Sequence, residues 1–155
     1  MRVWQALARG RSSDTQTATT GQELPEAINE VDAALARPLS ANLVNANILK
    51  IGVPAGIAQA TLGTQVQKSG RTTGHTTGRI IQIDVTTRIA YGDQIALFAN
   101  QLMADGMSAG GDSGSAVLDM ERNVVGLLFA GSVSATIINP IHKVLTALDI
   151  QIVTG

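Results

Sequence analysis

From Leu43 onward the chain is patterned in short apolar runs separated by glycine-rich turns. β-Branched and aliphatic residues gather in Ile48–Val53, Gly63–Lys68, Gly78–Val85, Gln94–Phe98, Ser115–Leu118, Val124–Phe129 and Ala135–Ile138. Runs of this length, punctuated by turn residues, predict six or seven strands in an antiparallel all-β sandwich or small barrel. The pattern changes at Pro140. Ile141, Val144, Leu145 and Leu148 fall at helical spacing, and Asn139 stands where a cap is expected, so one closing helix is predicted over 140–148. Gly70, Gly74 and Gly78 recur every four residues; they read as one turn-rich hairpin loop, because no repeat of solenoid length accompanies them.

The beginning of the chain has another texture. Ser12–Gly21 is almost wholly Ser, Thr, Gln, Asp and Ala, so residues 1–24 are expected to form a polar tail with nothing to bury. In the stretch from Leu24 to Ala36, Pro25 suits a first helical turn and the alanines favour helix. Ile28, Val31 and Leu35 would then share one face, and local propensity predicts a short helix.

Composition narrows the function more than the fold. With 155 residues, 45% hydrophobic and 15% charged, the chain suits one globular domain and not a disordered one. Eleven basic against twelve acidic residues leave no basic field for nucleic acid or an anionic membrane. The absence of cysteine removes disulfides, thiolate zinc sites and thiol catalysis. Two histidines and no phosphate loop or acidic calcium loop leave no metal or cofactor expected. No apolar run is long enough to span a bilayer, and residues 1–21 lack the apolar stretch of a secretory signal. A soluble, cytoplasmic protein is expected, unless an upstream part is missing.

The sharpest chemical feature is Ala109-Gly110-Gly111-Asp112-Ser113-Gly114-Ser115. A Gly-Asp-Ser-Gly run arises by chance about twice per 100,000 positions at average residue usage. A glycine-rich turn lets backbone N–H groups converge beside a serine hydroxyl. The N–H groups of Gly111 and Ser113 could then stabilise an oxyanion on a carbonyl attacked by Ser113. The alternative is a polar β-turn in which Asp112 bonds backbone amides.

From near Asn29 almost to its end, the chain resembles the bacterial trypsin/chymotrypsin-like serine peptidases, specifically their second β-barrel. Gly111-Asp112-Ser113-Gly114-Ser115 resembles the nucleophile motif. Val66–Gly74, with its Lys-Ser-Gly-Arg-Thr-Thr-Gly, is similar to the strand and turn that open that barrel. Val125–Ser132 resembles the later strand that pairs with substrate backbone, and Asn139-Pro140-Ile141 the C-terminal closure. The resemblance implies a chymotrypsin-like six-stranded antiparallel barrel, one half of the double-barrel fold, with a C-terminal helix. The peptidase-like domain would run over residues 25–155, with 25–45 a remnant of the first barrel.

The same resemblance assigns roles. Ser113 would be the nucleophile, with Gly111 and Ser113 as oxyanion donors. Ala130, Gly131 and Ser132 would meet the substrate backbone. Met107, six residues before the serine, would floor the primary specificity pocket, and an apolar floor disfavours Lys or Arg there. Asp112 would hold the Gly111–Ser113 amides in place. Asp32 would be the triad aspartate, which requires an extended segment where propensity predicts helix; both conformations stand open. The family order is His, Asp, Ser, yet no histidine precedes residue 75. The 31 residues before Asp32 cannot build a barrel that needs some 60, so most of the first barrel, with its general base, is expected to be missing. His75 reads as an exposed turn residue and His142 as a helix-surface residue.

Two functions follow. One is a serine endopeptidase-like domain acting on peptide or protein substrates, inactive or very weak by itself and restored by a separate His-bearing barrel. The other is a non-catalytic peptidase-like domain for binding or homo-oligomeric assembly, with residues 22–40 at the contact.

Overall fold

A computed structural model describes residues 27–155. The polar tail expected at 1–24 lies outside the described residues. The strands are β1 (Ile28–Asn29), β2 (Gly56–Ile57), β3 (Gln65–Gly70), β4 (Gly74–Tyr91), β5 (Gln94–Asp105), β6 (Ala116–Asp119), β7 (Asn123–Gly131) and β8 (Ala135–Pro140), followed by helix α1 (Ile141–Leu148). Strands β3 to β8 close into a ring in the order β3–β4–β5–β8–β7–β6 and back to β3, every pairing antiparallel. Closure gives every strand of the ring a neighbour on each side, and β5 and β7 run on past their pairing with β8. The two-residue strands β1 and β2 attach outside it, parallel to β5 and β7.

The apolar pattern explains the two faces of the ring. Val66, Ile80, Leu102, Ala104, Val117, Val125, Leu128 and Ile138 fill the interior. Leu118 and Val124 face outward and pack against Ile141 and Val144 of α1. Strand β7 serves both clusters through a bulge. Val117 pairs with Gly126 and Leu118 with Val124, so Val125 is one extra residue. The extra residue resets the side-chain alternation. Val124 and Leu127 therefore both meet the helix, while Val125 and Leu128 both enter the barrel. A third cluster, Phe98, Phe129 and Ile137, lies toward the end of the barrel that carries the candidate site.

Several local expectations are corrected by tertiary contacts. Ile48–Val53 is a turn with an isolated Ile48–Gly52 bridge, not a strand. Lys50 (φ 64°) and Gly52 (φ 102°) both adopt left-handed backbone, which ends extension. Gly78 lies inside β4; only Gly70–Gly74 forms the hairpin turn. Residues 27–36 contain no helix. The segment is extended because fully buried side chains of the barrel bond its backbone: Gln101 Nε2 donates to Glu30 O (2.9 Å), Asn139 Nδ2 to Asp32 O (2.9 Å), and Asp32 N donates to Asn139 Oδ1 (3.1 Å). These bonds replace those a helix would have made within itself. Asn139 is consequently not the cap of α1. That position is Pro140, with no side-chain cap bond. Among the described residues no helix is long and apolar enough to cross a membrane.

Strands β7 and β8 approach each other closely at Gly126. A Cβ on Gly126 would collide with Ile138 Cγ2 and stand 2.5 Å from Asn139 O. Gly126→Ala is expected to lower stability by about 1–3 kcal/mol, the usual cost of overpacking, read as a reduced midpoint in urea unfolding followed by far-UV circular dichroism.

Candidate active site

The loop between β5 and β6 carries the Gly-Asp-Ser-Gly run and is tied to the barrel from below. Gly114 N donates to Leu128 O (2.7 Å) and Leu128 N to Ser115 O (3.0 Å), which fastens the turn to β7. Within it, Asp112 N donates to Ala109 O (3.0 Å), and Ser115 N (3.0 Å) and Oγ (2.5 Å) both donate to Asp112 O. Gly111 has φ +99°, and a Cβ there would lie 2.5 Å from Arg71 Nη2 and Thr72 Oγ1. Glycine is required on both counts. Thr72 Oγ1 donates to Gly110 O (2.9 Å), fixing the peptide that ends in the Gly111 N–H. Among the described residues neither the Gly111 nor the Ser113 N–H has an acceptor. Ser113 is half-buried, and its hydroxyl donates to Phe129 O at 3.2 Å.

Asp112 anchors the turn that carries the Gly111 and Ser113 amides, and it does so through its side chain. Its carboxylate turns into the barrel and meets Lys68 Nζ at 3.0 Å, with both side chains wholly buried. Lys68 occupies an inward position of β3, two residues after the buried Val66. Thr72 N (2.8 Å) and Thr73 N (3.2 Å) donate to Oδ1; Thr73 Oγ1 (2.6 Å) and Ala109 N (3.1 Å) donate to Oδ2. Lys68 also donates to Gly74 O (3.2 Å) and to Thr73 Oγ1. Burial pushes the Asp112 carboxyl up. The hydrogen bonds from Thr73, Ala109 N, Lys68 and Thr72 N together outweigh it and hold the group well below the usual carboxylate range. The ion pair thus ties the Gly70–Gly74 turn to the turn that carries Ser113. Sequence inspection missed Lys68, although a lysine in phase with Val66 on an inward strand face is itself a sign that a buried carboxylate is near.

The other sequence-predicted residues fall in three places. Met107 is buried in the barrel interior, its thioether against Gly78, with Met107 N donating to Thr136 Oγ1 (3.2 Å). Ser108 Oγ shares a hydrogen bond with the same hydroxyl (2.9 Å) and lies 3.0 Å from where a Cβ of Gly131 would be. Met107 and Ser108 therefore sit beside Ala130, Gly131 and Ser132, whose turn closes through Ser132 N to Ala135 O (2.7 Å). Asp32 lies on the extended segment before the barrel, its backbone held by Asn139, with Tyr91 OH donating to its Oδ2.

The two histidines are placed apart from Ser113. His75 belongs to strand β4, not to a turn, and pairs across the ladder with Ser69. Its Nε2 meets Gln67 Oε1 at 3.1 Å. Successive residues of a strand face opposite ways, so Gln67 and His75 look out from the sheet while Lys68 looks in toward Asp112. His142 is exposed near the start of α1. Neither imidazole hydrogen-bonds the Ser113 hydroxyl, whose acceptor is the Phe129 carbonyl.

A buried charge stripped of its partner is costly. Lys68→Met and Asp112→Asn are each expected to destabilise by about 3–5 kcal/mol, and the double variant by less than the sum. Both are readable in urea melts. The Asp112 carboxyl is depressed in the folded chain, so its stabilisation is fully present above the unfolded value of about 3.9. It is lost as the pH falls through the lower, folded value. Acid unfolding of the parent below about pH 4 should contain this component, and Asp112→Asn should lack it.

No family model and no curated protein matches the sequence. Solved structures do resemble it. Thermobifida fusca Protease A is 28% identical with a TM-score of 0.61, over 70% of this chain and 60% of that one. Cellulomonas bogoriensis chymotrypsin is 25% identical with a TM-score of 0.56, over 65% and 55%. Nocardiopsis protease, at 22% identity and a TM-score of 0.57 over 66% and 54%, shares the fold. The chain matches little more than half the length of these proteins. The strand ring with its closing helix is the chymotrypsin-like barrel, and the structures it resembles are the bacterial trypsin/chymotrypsin-like serine proteases.

Proposed function

We propose that this chain is the nucleophile-bearing part of a serine endopeptidase and that Ser113 attacks the carbonyl carbon of a peptide bond. The observation that carries this is the turn around Ser113: two N–H groups, of Gly111 and Ser113, without acceptors among the described residues, beside the Ser113 hydroxyl held by the Phe129 carbonyl. Attack would place negative charge on the carbonyl oxygen, and the two N–H groups are the donors available to stabilise it. Thr72, the Arg71 guanidinium beside Gly111, and the Asp112–Lys68 pair keep that turn fixed before substrate arrives. Ala130, Gly131 and Ser132 would pair with the substrate backbone. Buried Met107 would give the specificity pocket an apolar floor, favouring an apolar side chain over Lys or Arg.

The missing part of the chemistry is a proton acceptor. A serine hydroxyl is a weak nucleophile without a general base, and the Ser113 proton points to a backbone carbonyl. Asp32 would orient an imidazole, but both histidines of the chain lie elsewhere. The base must be brought by another segment or another chain, the natural source being a His-bearing barrel. By itself this chain should hydrolyse peptides very weakly or not at all.

A second function, non-catalytic binding or homo-oligomeric assembly, is favoured by one observation. Ile28, Leu35 and Leu39 are 62%, 55% and 100% exposed, on the segment that leads into the barrel. Such residues mark a contact surface when they gather.

The test combines activity and mass. The purified chain is expected to leave an apolar peptide substrate uncut. Adding a His-bearing first barrel from a bacterial relative should produce cleavage, which Ser113→Ala abolishes. Light scattering that shows a stable dimer or trimer, together with no cleavage in any combination, would favour the assembly function. Cleavage by the unsupplemented chain that survives Ser113→Ala would sink the assignment of Ser113.

A further inference from the structure

We infer that Tyr91 is a positioning residue for the Asp32 carboxylate, fixing it from the side so that its second oxygen remains for an incoming imidazole N–H. This rests on the peptidase function proposed above. Tyr91 stands at the end of β4, in the last pair of the β4–β5 hairpin, where it is paired with Gln94. Its hydroxyl donates to Asp32 Oδ2. Asn139 fixes the Asp32 backbone on both sides, through its N–H and its carbonyl. Oδ1 of Asp32 has no hydrogen-bond partner among the described residues. One carboxylate oxygen is thus engaged and the other left as an acceptor.

A chain of aromatic rings joins this carboxylate to the nucleophile. The Tyr91 and Phe98 rings are 6.4 Å apart at 47°, and the Phe98 and Phe129 rings 5.0 Å apart at 50°. The Phe129 carbonyl in turn accepts the Ser113 hydroxyl proton. These three are the aromatic residues among those described. Edge-tilted pairs of this kind hold their rings in place beyond simple burial. Asp32 and Ser113 are therefore linked through one row of packed rings that ends at the Phe129 backbone carbonyl. The phenol itself reports the contact. Burial raises the Tyr91 ionisation, and the hydrogen bond to Asp32 and its negative charge raise it further, to well above the ordinary tyrosine value.

Tyr91 is the only tyrosine in the 155 residues, so its titration can be read alone. Replacing it with 3-fluorotyrosine, whose phenol ionises at lower pH, keeps the measurement clear of alkaline unfolding. In the Asp32→Asn variant the midpoint is expected to fall toward the free amino acid but not to reach it, since burial remains. An unchanged midpoint would overturn the contact. The second arm labels Ser113 with an aryl phosphonate ester in the presence of free imidazole. The serine oxygen forms the bond to phosphorus, aryl oxide leaves, and imidazole takes the hydroxyl proton. The imidazole-dependent rate is expected to fall roughly tenfold or more in Tyr91→Phe, as for loss of a hydrogen bond to a charged group. The imidazole-independent rate should stay the same, which a general loosening of the fold would not produce. Equal imidazole dependence in parent and Tyr91→Phe would overturn the positioning role while leaving Ser113 as nucleophile. No labelling of the parent at any imidazole concentration would overturn the peptidase function and the positioning role with it, while a shifted midpoint in the first arm would still show the contact itself.

Discussion

The buried pair of Lys68 and Asp112 is the constraint around which the candidate site is arranged. Asp112 stands next to Ser113, so its position sets the turn that carries the Ser113 hydroxyl. Its carboxylate gathers Lys68, both amides of Thr72 and Thr73, the Thr73 hydroxyl and the Ala109 amide around two oxygens. In a low-dielectric interior an ionised group without such partners would be very costly. The partners therefore cannot be elsewhere while Asp112 is inside. The Gly70–Gly74 turn comes with them, and Thr72 then reaches Gly110. One ion pair fixes the position of both loops.

A second set of buried polar groups does the same for Asp32. Gln101 and Asn139 are wholly buried, yet both direct amide groups to the backbone of the segment that precedes the barrel. Lys143 and Asn100 bond the Glu30 carboxylate from outside. A short extended segment has little to hold it to the barrel, since the β5 edge left free by β8 pairs with only two of its residues. Side-chain amides take over the task that a neighbouring strand would perform, aided by the two residues of β1 that pair with Leu97 and Phe98.

The Ser113 hydroxyl, the proposed oxyanion donors and the Asp32 carboxylate are thus all supported from one barrel, while neither histidine bonds the Ser113 hydroxyl. This division has a physical logic. The turn and the carboxylate depend on buried polar contacts and must be built into a packed body. In the proposed reaction an imidazole would need only to be presented between the Asp32 carboxylate, which accepts its N–H, and the Ser113 hydroxyl, which donates to its other nitrogen. His75 does not serve, because strand alternation aims it at Gln67 on the outer face of the sheet.

The chain's own pattern determined the barrel strands, the closing helix and the Gly-Asp-Ser-Gly turn. Each is a local signal: alternating apolar residues, helical spacing at Ile141, Val144 and Leu145, and glycines where left-handed backbone is needed. The same locality misled where partners are distant. The alanine-rich stretch around Asp32 reads as helix, and Asn139 as its neighbour's cap, because neither shows in sequence that they bond one another across 107 residues. Ile48–Val53 reads as a strand because its apolar side chains give no sign of two left-handed residues among them. Lys68 reads as an ordinary strand residue, and Tyr91 falls between two predicted strands. Only the closed ring carries Lys68 inward to Asp112 and brings the hairpin end to Asp32. Those pairings depend on register and curvature, which are set by all six strands together and by none of them alone.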